Sequence, residues 1–206
     1  MQAYEYSESW YKNLEFSLDL IQSDPDWKID EKEKRIAVEI GVFEGMSSCL
    51  ISDRLLDHPE SELISIDCFE GSQEHREGYH FSNVLKTMKT RAYENIKKSK
   101  NSSKVTIIEK KSCDAFGELI HDYGRKDWID FLYIDAGHDF KDVEMDICLY
   151  VPQVRQGGLI IFDDYHPRWT GVTKAIDYEL DKWANLEKRD QIVTGKHINI
   201  YPFLHL

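Results

Sequence analysis

The stretch Arg35-Ile36-Ala37-Val38-Glu39-Ile40-Gly41-Val42-Phe43-Glu44-Gly45 decides the fold. Residues 35–40, apolar at 36, 37, 38 and 40, read as a buried strand that ends at a glycine. A helix is expected next, from about Met46 to Leu56. The same alternation recurs outward from there. Leu63-Ile64-Ser65-Ile66 ends at Asp67, Val105-Thr106-Ile107-Ile108 follows, Phe131-Leu132-Tyr133-Ile134 ends at Asp135, and Leu159-Ile160-Ile161-Phe162 ends at Asp163. Between these runs, Leu85, Met88, Ala92 and Ile96 mark one face of a helix. Ala115, Leu119 and Ile120 suggest a short helix, and Phe140, Val143, Ile147 and Val151 another. Five short strands alternating with helices imply βαβ units and a doubly wound, parallel α/β sheet.

The end of the chain reads differently. After a helix around Val172–Trp183, Gln191-Ile192-Val193-Thr194 and Ile198-Asn199-Ile200-Tyr201 flank Gly195-Lys196-His197. Two strands joined by a tight turn form an antiparallel pair. The expectation is therefore a seven-stranded, mostly parallel sheet with an antiparallel C-terminal strand. No repeat or linker divides the chain, so residues 1–206 read as a single domain, with the core from 35 to 206. Residues 1–30 carry Tyr4, Tyr6, Trp10, Tyr11, Phe16 and Trp27. Trp10, Leu14, Leu18 and Ile21 fit a helix from Ser9 to Ile21, broken by Asp24-Pro25-Asp26. That helix either packs on the core or covers a cleft, and the aromatic segment could serve a homodimer.

With 206 residues, 41% hydrophobic and 31% charged, the composition is that of an ordinary globular domain. No apolar run approaches the roughly 20 residues of a membrane span. The first residues lack a basic stretch followed by an apolar one, so no secretory signal is expected. A formal charge of -12 argues against a broad nucleic-acid footprint. Cys49, Cys68, Cys113 and Cys148 show no metal-like spacing and read as reduced, mostly buried thiols of a cytoplasmic protein.

In an open α/β sheet, ligands bind outside the carboxyl ends of the strands. Those ends hold Glu39/Gly41, Asp67, Ser112, Asp135 and Asp163/Asp164. Any one acid there has an ordinary explanation as a helix cap. Two adjacent acids closing an apolar run, Asp163 and Asp164, do not. A dinucleotide fingerprint starting at Gly41 would need glycines where Phe43 and Met46 stand. This weighs against a nicotinamide-dependent oxidoreductase and suits a nucleoside without a pyrophosphate. Asp67 is placed to accept hydrogen bonds from a ribose.

Val38–Ser47 resembles the first motif of class I S-adenosylmethionine-dependent methyltransferases, and the similarity runs from about 35 to 203. Tyr133-Ile134-Asp135-Ala136-Gly137-His138 with Gly157–Asp164 resembles a bacterial subgroup of metal-dependent O-methyltransferases. That subgroup modifies sugars of macrolide and aminocoumarin antibiotics and is distantly similar to catechol O-methyltransferase. The resemblance implies a Rossmann-like methyltransferase fold. It implies Glu39, Gly41, Gly45 and Ser47 along the methionine part of S-adenosylmethionine, with Phe43 packed near it. Asp67 would hold the ribose, and Ser112 and Cys113 the adenine. Asp135 also counts among the cofactor's neighbours. Asp135, Asp163 and Asp164 would hold Mg2+ or another divalent cation, with His138 as catalytic base. The catechol enzyme has Asp-Asn where this chain has Asp163-Asp164.

The chemistry of these residue types agrees. Converging carboxylates repel and raise one another's pKa, and a hard cation bound by oxygens relieves this. A substrate hydroxyl at the cation becomes more acidic, and a histidine, titrating ordinarily near pH 6.5, can take its proton. The reading is methyl transfer to a hydroxyl of a small molecule, a sugar or natural-product intermediate. A S-adenosylmethionine-binding partner protein without catalysis is the competing class. Residues 70–82, polar and containing His75 and His80, suit either a lid over the acceptor or an exposed loop. His166, Arg168 and Trp169 either touch substrate or shape a loop.

Overall fold

The apolar runs that end at Ile40, Ile66, Ile134 and Phe162 lie side by side as parallel strands. The structure is a computed structural model and describes residues 4–7, 12–23, 33–72, 84–182, 186–189, 192–195 and 198–202. Most of the expected lid, with His75 and His80, lies outside the described residues, as do Trp10, Tyr11 and Trp27. Strands β1 (Ile36–Ile40), β2 (Glu62–Ile66), β3 (Val105–Ile108), β4 (Ile129–Ile134) and β5 (Val154–Phe162) alternate with helices α2 (Met46–Leu55), α3 (Met88–Lys98), α4 (Ser112–Tyr123) and α5 (Phe140–Tyr150). Helix α1 (Lys12–Ser23) precedes them, and α6 (Thr170–Lys182) follows β5.

Side-chain parity sorts the two faces of the sheet. Ala37, Leu63, Phe131, Tyr133, Leu159 and Ile161 pack with Leu14, Leu18 and Ile21 of α1 and Ile51 and Leu55 of α2. The alternate residues, among them Val38, Ile64, Leu132 and Ile160, pack with α4, α5 and α6 through Leu119, Val143, Ile147 and Ile176. Both faces are covered, which explains why the strands read as continuous apolar runs.

The C-terminal region corrects the sequence reading. Among the described residues the sheet has eight strands, in the order β3-β2-β1-β4-β5-β8-β7-β6. The additional strand is β6 (Leu186–Arg189), ahead of β7 (Ile192–Gly195) and β8 (Ile198–Pro202). Its sequence, Leu-Glu-Lys-Arg, carries no apolar alternation that could announce it. Each tight reversal inverts chain direction, so one extra strand inverts the last. The final strand β8 therefore runs parallel to β5, with Gly158 beside Ile198 and Phe162 beside Pro202. It is β7 that runs antiparallel to its neighbours. The cysteines differ too: Cys49 is buried, whereas Cys113 and Cys148 are exposed.

Helix α1 belongs to the core. Leu14, Leu18 and Ile21 are buried, and Arg54 of α2 donates to Asp19 Oδ1 at 3.1 Å and Gln22 Oε1 at 3.0 Å. Replacing fully buried Leu18 by Ala should destabilise the fold by about 2–5 kcal/mol, the range for such truncations. Urea denaturation reads this directly. A loss below about 1 kcal/mol would mean that α1 is a detachable cover.

Candidate active site

Register carries the functional residues to one place. Ser65 pairs with Glu39, Glu39 with Tyr133, and Tyr133 with Ile161, so these residues form one row across the sheet. Two residues further along each strand, on the same face, come Asp67, Gly41, Asp135 and Asp163. The ladder continues beyond the strand ends to hold this second row. Asp67 N donates to Ile108 O (3.2 Å), Gly41 N to Ile66 O (2.9 Å), Asp135 N to Ile40 O (2.9 Å) and Asp163 N to Ile134 O (3.0 Å).

Gly41 is the gap in that row. Its φ is +94°, and a Cβ there would stand 1.8 Å from the Asp135 carbonyl oxygen. No side chain fits, so the turn from Gly41 to Gly45 lies directly against the end of β4. Asp67 braces the turn: its Oδ2 accepts from Val42 N at 2.8 Å and Phe43 N at 3.0 Å, and its Oδ1 from Phe69 N at 2.7 Å. Phe43 itself has φ +50°, and Gly45, with φ +79°, caps α2.

Glu39 is fully buried beneath this turn. Its Oε2 accepts from Ser48 Oγ at 2.5 Å and Ser65 Oγ at 2.6 Å, while Oε1 meets no donor in bonding geometry. Burial pushes its pKa up to about 7, against the pull of the Ser47, Ser48 and Ser65 hydroxyls. Ser112 opens α4; its hydroxyl donates to the Asp146 carboxylate of α5, and its carbonyl accepts from Tyr150 OH at 2.7 Å. Burial pushes Asp146 up to about 7 as well. Cys113, next along, is exposed.

The outer side of the turn is held by the N-terminal segment. Buried Glu44 accepts from Arg91 Nη1 at 2.7 Å and from Ser7 N and Oγ at 2.6 and 2.9 Å. Buried Asn95 donates to Glu44 O at 3.0 Å and exchanges two hydrogen bonds with the backbone of Glu5.

Asp135, His138 and Asp164 converge beside Gly41. One ligand atom from each lies within 4.8 Å of the other two, a spacing that a metal ion can span. His138 Nε2 sits 2.7 Å from Asp164 Oδ2. Asp164 reaches it because its backbone is left-handed, φ +55°, which turns its carboxylate out of the strand's alternation. Asp163 keeps the alternation: its Oδ1 accepts from Asp164 N at 2.7 Å and its Oδ2 from Tyr133 OH at 2.5 Å. Tyr133 OH also lies 3.1 Å from Asp135 Oδ2. Burial, then the charges of Asp163 and Asp164, hold Asp135 well above the usual carboxylate range, against the pull of His138 and Tyr133.

The wall behind His138 comes from α6. The His138 and Trp169 rings are 4.1 Å apart between centroids. A Cβ on Gly171 would stand 2.1 Å from His138 O, so glycine allows α6 to press on this loop. A small cavity lies under the acids, bounded by Val143, Phe162, Val172 and Ile176. His166 Nδ1 accepts from Arg168 N at 3.1 Å and so braces its own loop. The Arg168 guanidinium lies 5.3 Å from the Trp169 ring centre.

Several residues here carried no expected role: Tyr133, Ser48, Ser65, Glu44, Asn95 and Asp146. Tyr133 alone had a local signal, since it precedes Asp135 by two and shares its face. Glu39 supplies a pH test. Below about pH 4.5 its carboxyl is protonated folded or unfolded, and its contribution to stability is intact. As pH rises through 7 the unfolded chain ionises freely while the buried group resists, so stability is lost. Urea denaturation of the protein without ligands at pH 5 and pH 8 should show the wild type losing roughly 2–3 kcal/mol relative to Glu39→Gln. Parallel pH dependence of the two proteins would refute the burial argument.

Comparison with known proteins agrees with this geometry. Residues 38–165, from within β1 to just past Asp164, match the methyltransferase domain family. Uncharacterized protein R132 of Acanthamoeba polyphaga mimivirus is 34% identical over 143 residues, covering 68% of this chain and 56% of that protein. Probable caffeoyl-CoA O-methyltransferase 3 of Dictyostelium discoideum is 27% identical over 128 residues, 62% of this chain and 43% of that protein. The chain thus spans about half the length of these relatives. Among solved structures, the Bacillus cereus O-methyltransferase in complex with SAH superposes with a TM-score of 0.56 at 19% identity, covering 95% of this chain and 79% of that one. TomG, an O-methyltransferase of Streptomyces achromogenes in complex with SAM, gives 0.56 at 17% identity, covering 89% and 72%. CalS11, a TDP-rhamnose 3'-O-methyltransferase of calicheamicin biosynthesis, gives 0.56 at 14% identity, covering 85% and 74%. The chain folds as an α/β Rossmann-like methyltransferase, and it belongs to the methyltransferase domain family.

Proposed function

We propose that this chain transfers a methyl group from S-adenosylmethionine to a hydroxyl of a small molecule, a sugar or natural-product intermediate, with a divalent cation and His138 as base. The observation that carries the reading is the second row at the strand ends, Asp67–Gly41–Asp135–Asp163, with Asp164 and His138 folded against it. The matched family, and relatives whose names or complexes include O-methyltransferases with SAH and SAM, support the cofactor and the reaction class.

The residues present fit both groups. Glu39 Oε1, buried and without a donor, suits the ammonium of a methionine moiety. Gly41 and Gly45, with Ser47 in the first turn of α2 and Phe43 in the same turn, are assigned to that moiety. Asp67 already accepts three backbone N–H groups, and a carboxylate has about four acceptor positions, which leaves room for a ribose hydroxyl. Ser112 and Cys113 at the start of α4 are assigned to the adenine edge. For the cation, the donor set is oxygen-rich, and burial together with the neighbouring acids raises the pKa of Asp135, a penalty that a divalent ion would relieve. Asp135, Asp163 and Asp164 would hold it.

When bound, the sulfonium supplies an already activated methyl group, and the cation supplies acidity to an acceptor hydroxyl. The chain's own work is then alignment and proton removal. His138 is the group assigned to take the hydroxyl proton, its ring held by Asp164 Oδ2 at 2.7 Å from Nε2. Trp169 fixes the imidazole plane from behind. Gly171 keeps α6 close enough to exclude water from that side.

The test is SAH formation from S-adenosylmethionine with a panel of phenols and hydroxylated sugars, run with and without excess EDTA. Chelation should abolish turnover while SAH affinity, read by calorimetry, stays within about threefold, because the cation is bound by the acceptor side of the site. Full turnover in EDTA would remove the cation, and absence of SAH binding would remove the whole reading. His138→Ala should lower the rate by about 10²–10⁴, the usual share of a general base, with SAH affinity unchanged. An unaltered rate would exclude His138 as the base.

A further inference from the structure

Tyr133 is fully buried in a strand whose other inward residues are aliphatic or aromatic without polar atoms: Phe131 on its own strand, Leu159 and Ile161 on the next. A phenylalanine would fill the same space. What the tyrosine adds is a hydroxyl, and that hydroxyl lies 2.5 Å from Asp163 Oδ2 and 3.1 Å from Asp135 Oδ2. The placement follows from register. Tyr133 faces Ile161, and each stands two residues before one of the acids, so the hydroxyl rises between the ends of β4 and β5.

We propose that Tyr133 is a positioning residue of the cation seat, its hydroxyl set between Asp135 Oδ2 and Asp163 Oδ2 so that it orients both carboxylates toward an ion. The inference rests on the cation reading given above and extends it to the choice of ion. A phenol suits the task because it donates without carrying charge, whereas a lysine or arginine there would compete with the cation. Asp163 is held at its second oxygen as well, by Asp164 N at 2.7 Å. Carboxylates held in this way favour ligation through single oxygens. Mg2+ and Mn2+, small and near-octahedral with several retained waters, accept that arrangement. Ca2+ prefers six to eight oxygens and often takes a carboxylate through both, so the clamp disfavours it.

The experiment measures Mn2+ and Ca2+ binding by calorimetry, with electron paramagnetic resonance for Mn2+, on the full chain saturated with SAH. Tyr133→Phe keeps the ring that packs in the core, and circular dichroism with SAH affinity verifies the fold. Loss of the hydroxyl should weaken Mn2+ binding about 10–100-fold, as for other residues that orient metal ligands. Ca2+ binding should change less, so the preference for Mn2+ narrows. A second variant, Asp163→Asn, removes the charge that the hydroxyl holds; adding Y133F to it should weaken Mn2+ binding further by less than Y133F does alone, since the two changes share the contact at Asp163. Wild-type Mn2+ affinity in Y133F, or losses that multiply in the double variant, would overturn the role of Tyr133 and leave the cation reading standing. Absence of Mn2+ binding to the wild type would overturn both.

Discussion

Register between the parallel strands is the constraint on which everything at this site depends. Side chains alternate faces with period two, so a slip of one residue exchanges the faces of a whole strand. Slipping β5 by one against β4 would bring Phe162 into the row with Tyr133 and carry Asp163 to the face of α4, α5 and α6. The buried faces forbid it. Leu159 and Ile161 are packed with α1 and α2, and Ile160 and Phe162 with the opposite helices, all fully buried. A slip would set each of these side chains against helices shaped for a different one, and the cavities and overpacked contacts left behind cost about 1–3 kcal/mol apiece. The hydrophobic core thus fixes the functional geometry, although none of its members does chemistry.

That geometry concentrates negative charge where water is scarce, and the fold answers in two ways. Backbone N–H groups and hydroxyls satisfy Asp67, Asp163 and one oxygen of Glu39. Such bonds to a charged acceptor stabilise it by about 1.5–3 kcal/mol each. The relief is incomplete at two places. Glu39 keeps one oxygen without a donor and a pKa near 7, and Asp135 is held well above the carboxylate range by burial and then by its acidic neighbours. Two acids whose ionisation is resisted therefore sit on either side of Gly41. The ammonium group of a methyl donor and a divalent cation would each favour the ionised form of one of them.

The strands and their acidic ends were legible in the amino-acid sequence because long apolar runs are hard to place anywhere but a core, and an acid directly after one is conspicuous. Asp135, His138 and Asp164 converge, whereas the resemblance sets Asp163 with Asp135 and Asp164 around a cation and His138 beside them as base. The left-handed backbone at Asp164, which separates its job from that of Asp163, leaves no mark in the sequence. Tyr133 looked like one more strand residue, since its role depends on what β5 sets beside it. The serines around Glu39 come from α2 and β2 and acquire meaning only through tertiary contact. Strand β6, charged and four residues long, gives no periodicity to read, and missing it also reversed the direction expected for β8. Local pattern reaches elements and their ends; it does not reach contacts between elements.

Gly41 joins the two halves of the site. Methyl transfer needs the attacking oxygen and the methyl carbon brought to within about 3–3.5 Å in line, and a misplacement of about 1 Å can cost two orders of magnitude. A site assembled from separate loops would struggle to hold that tolerance. Here the turn that would carry the methyl donor rests on the backbone of Asp135, which would carry the cation and through it the acceptor. The contact is so close that a single methyl group on Gly41 would collide with the Asp135 carbonyl at 1.8 Å. Gly41 N and Asp135 N are each bonded to the neighbouring strand at 2.9 Å, so neither side can drift independently. Asp67 pins the same turn from its other end, and Glu44 and Asn95 tie its outer side to residues 5 and 7. On the proposed function, the distance between donor and acceptor would then be set by sheet backbone, and the acceptor's own shape would be left for the surrounding loops to recognise.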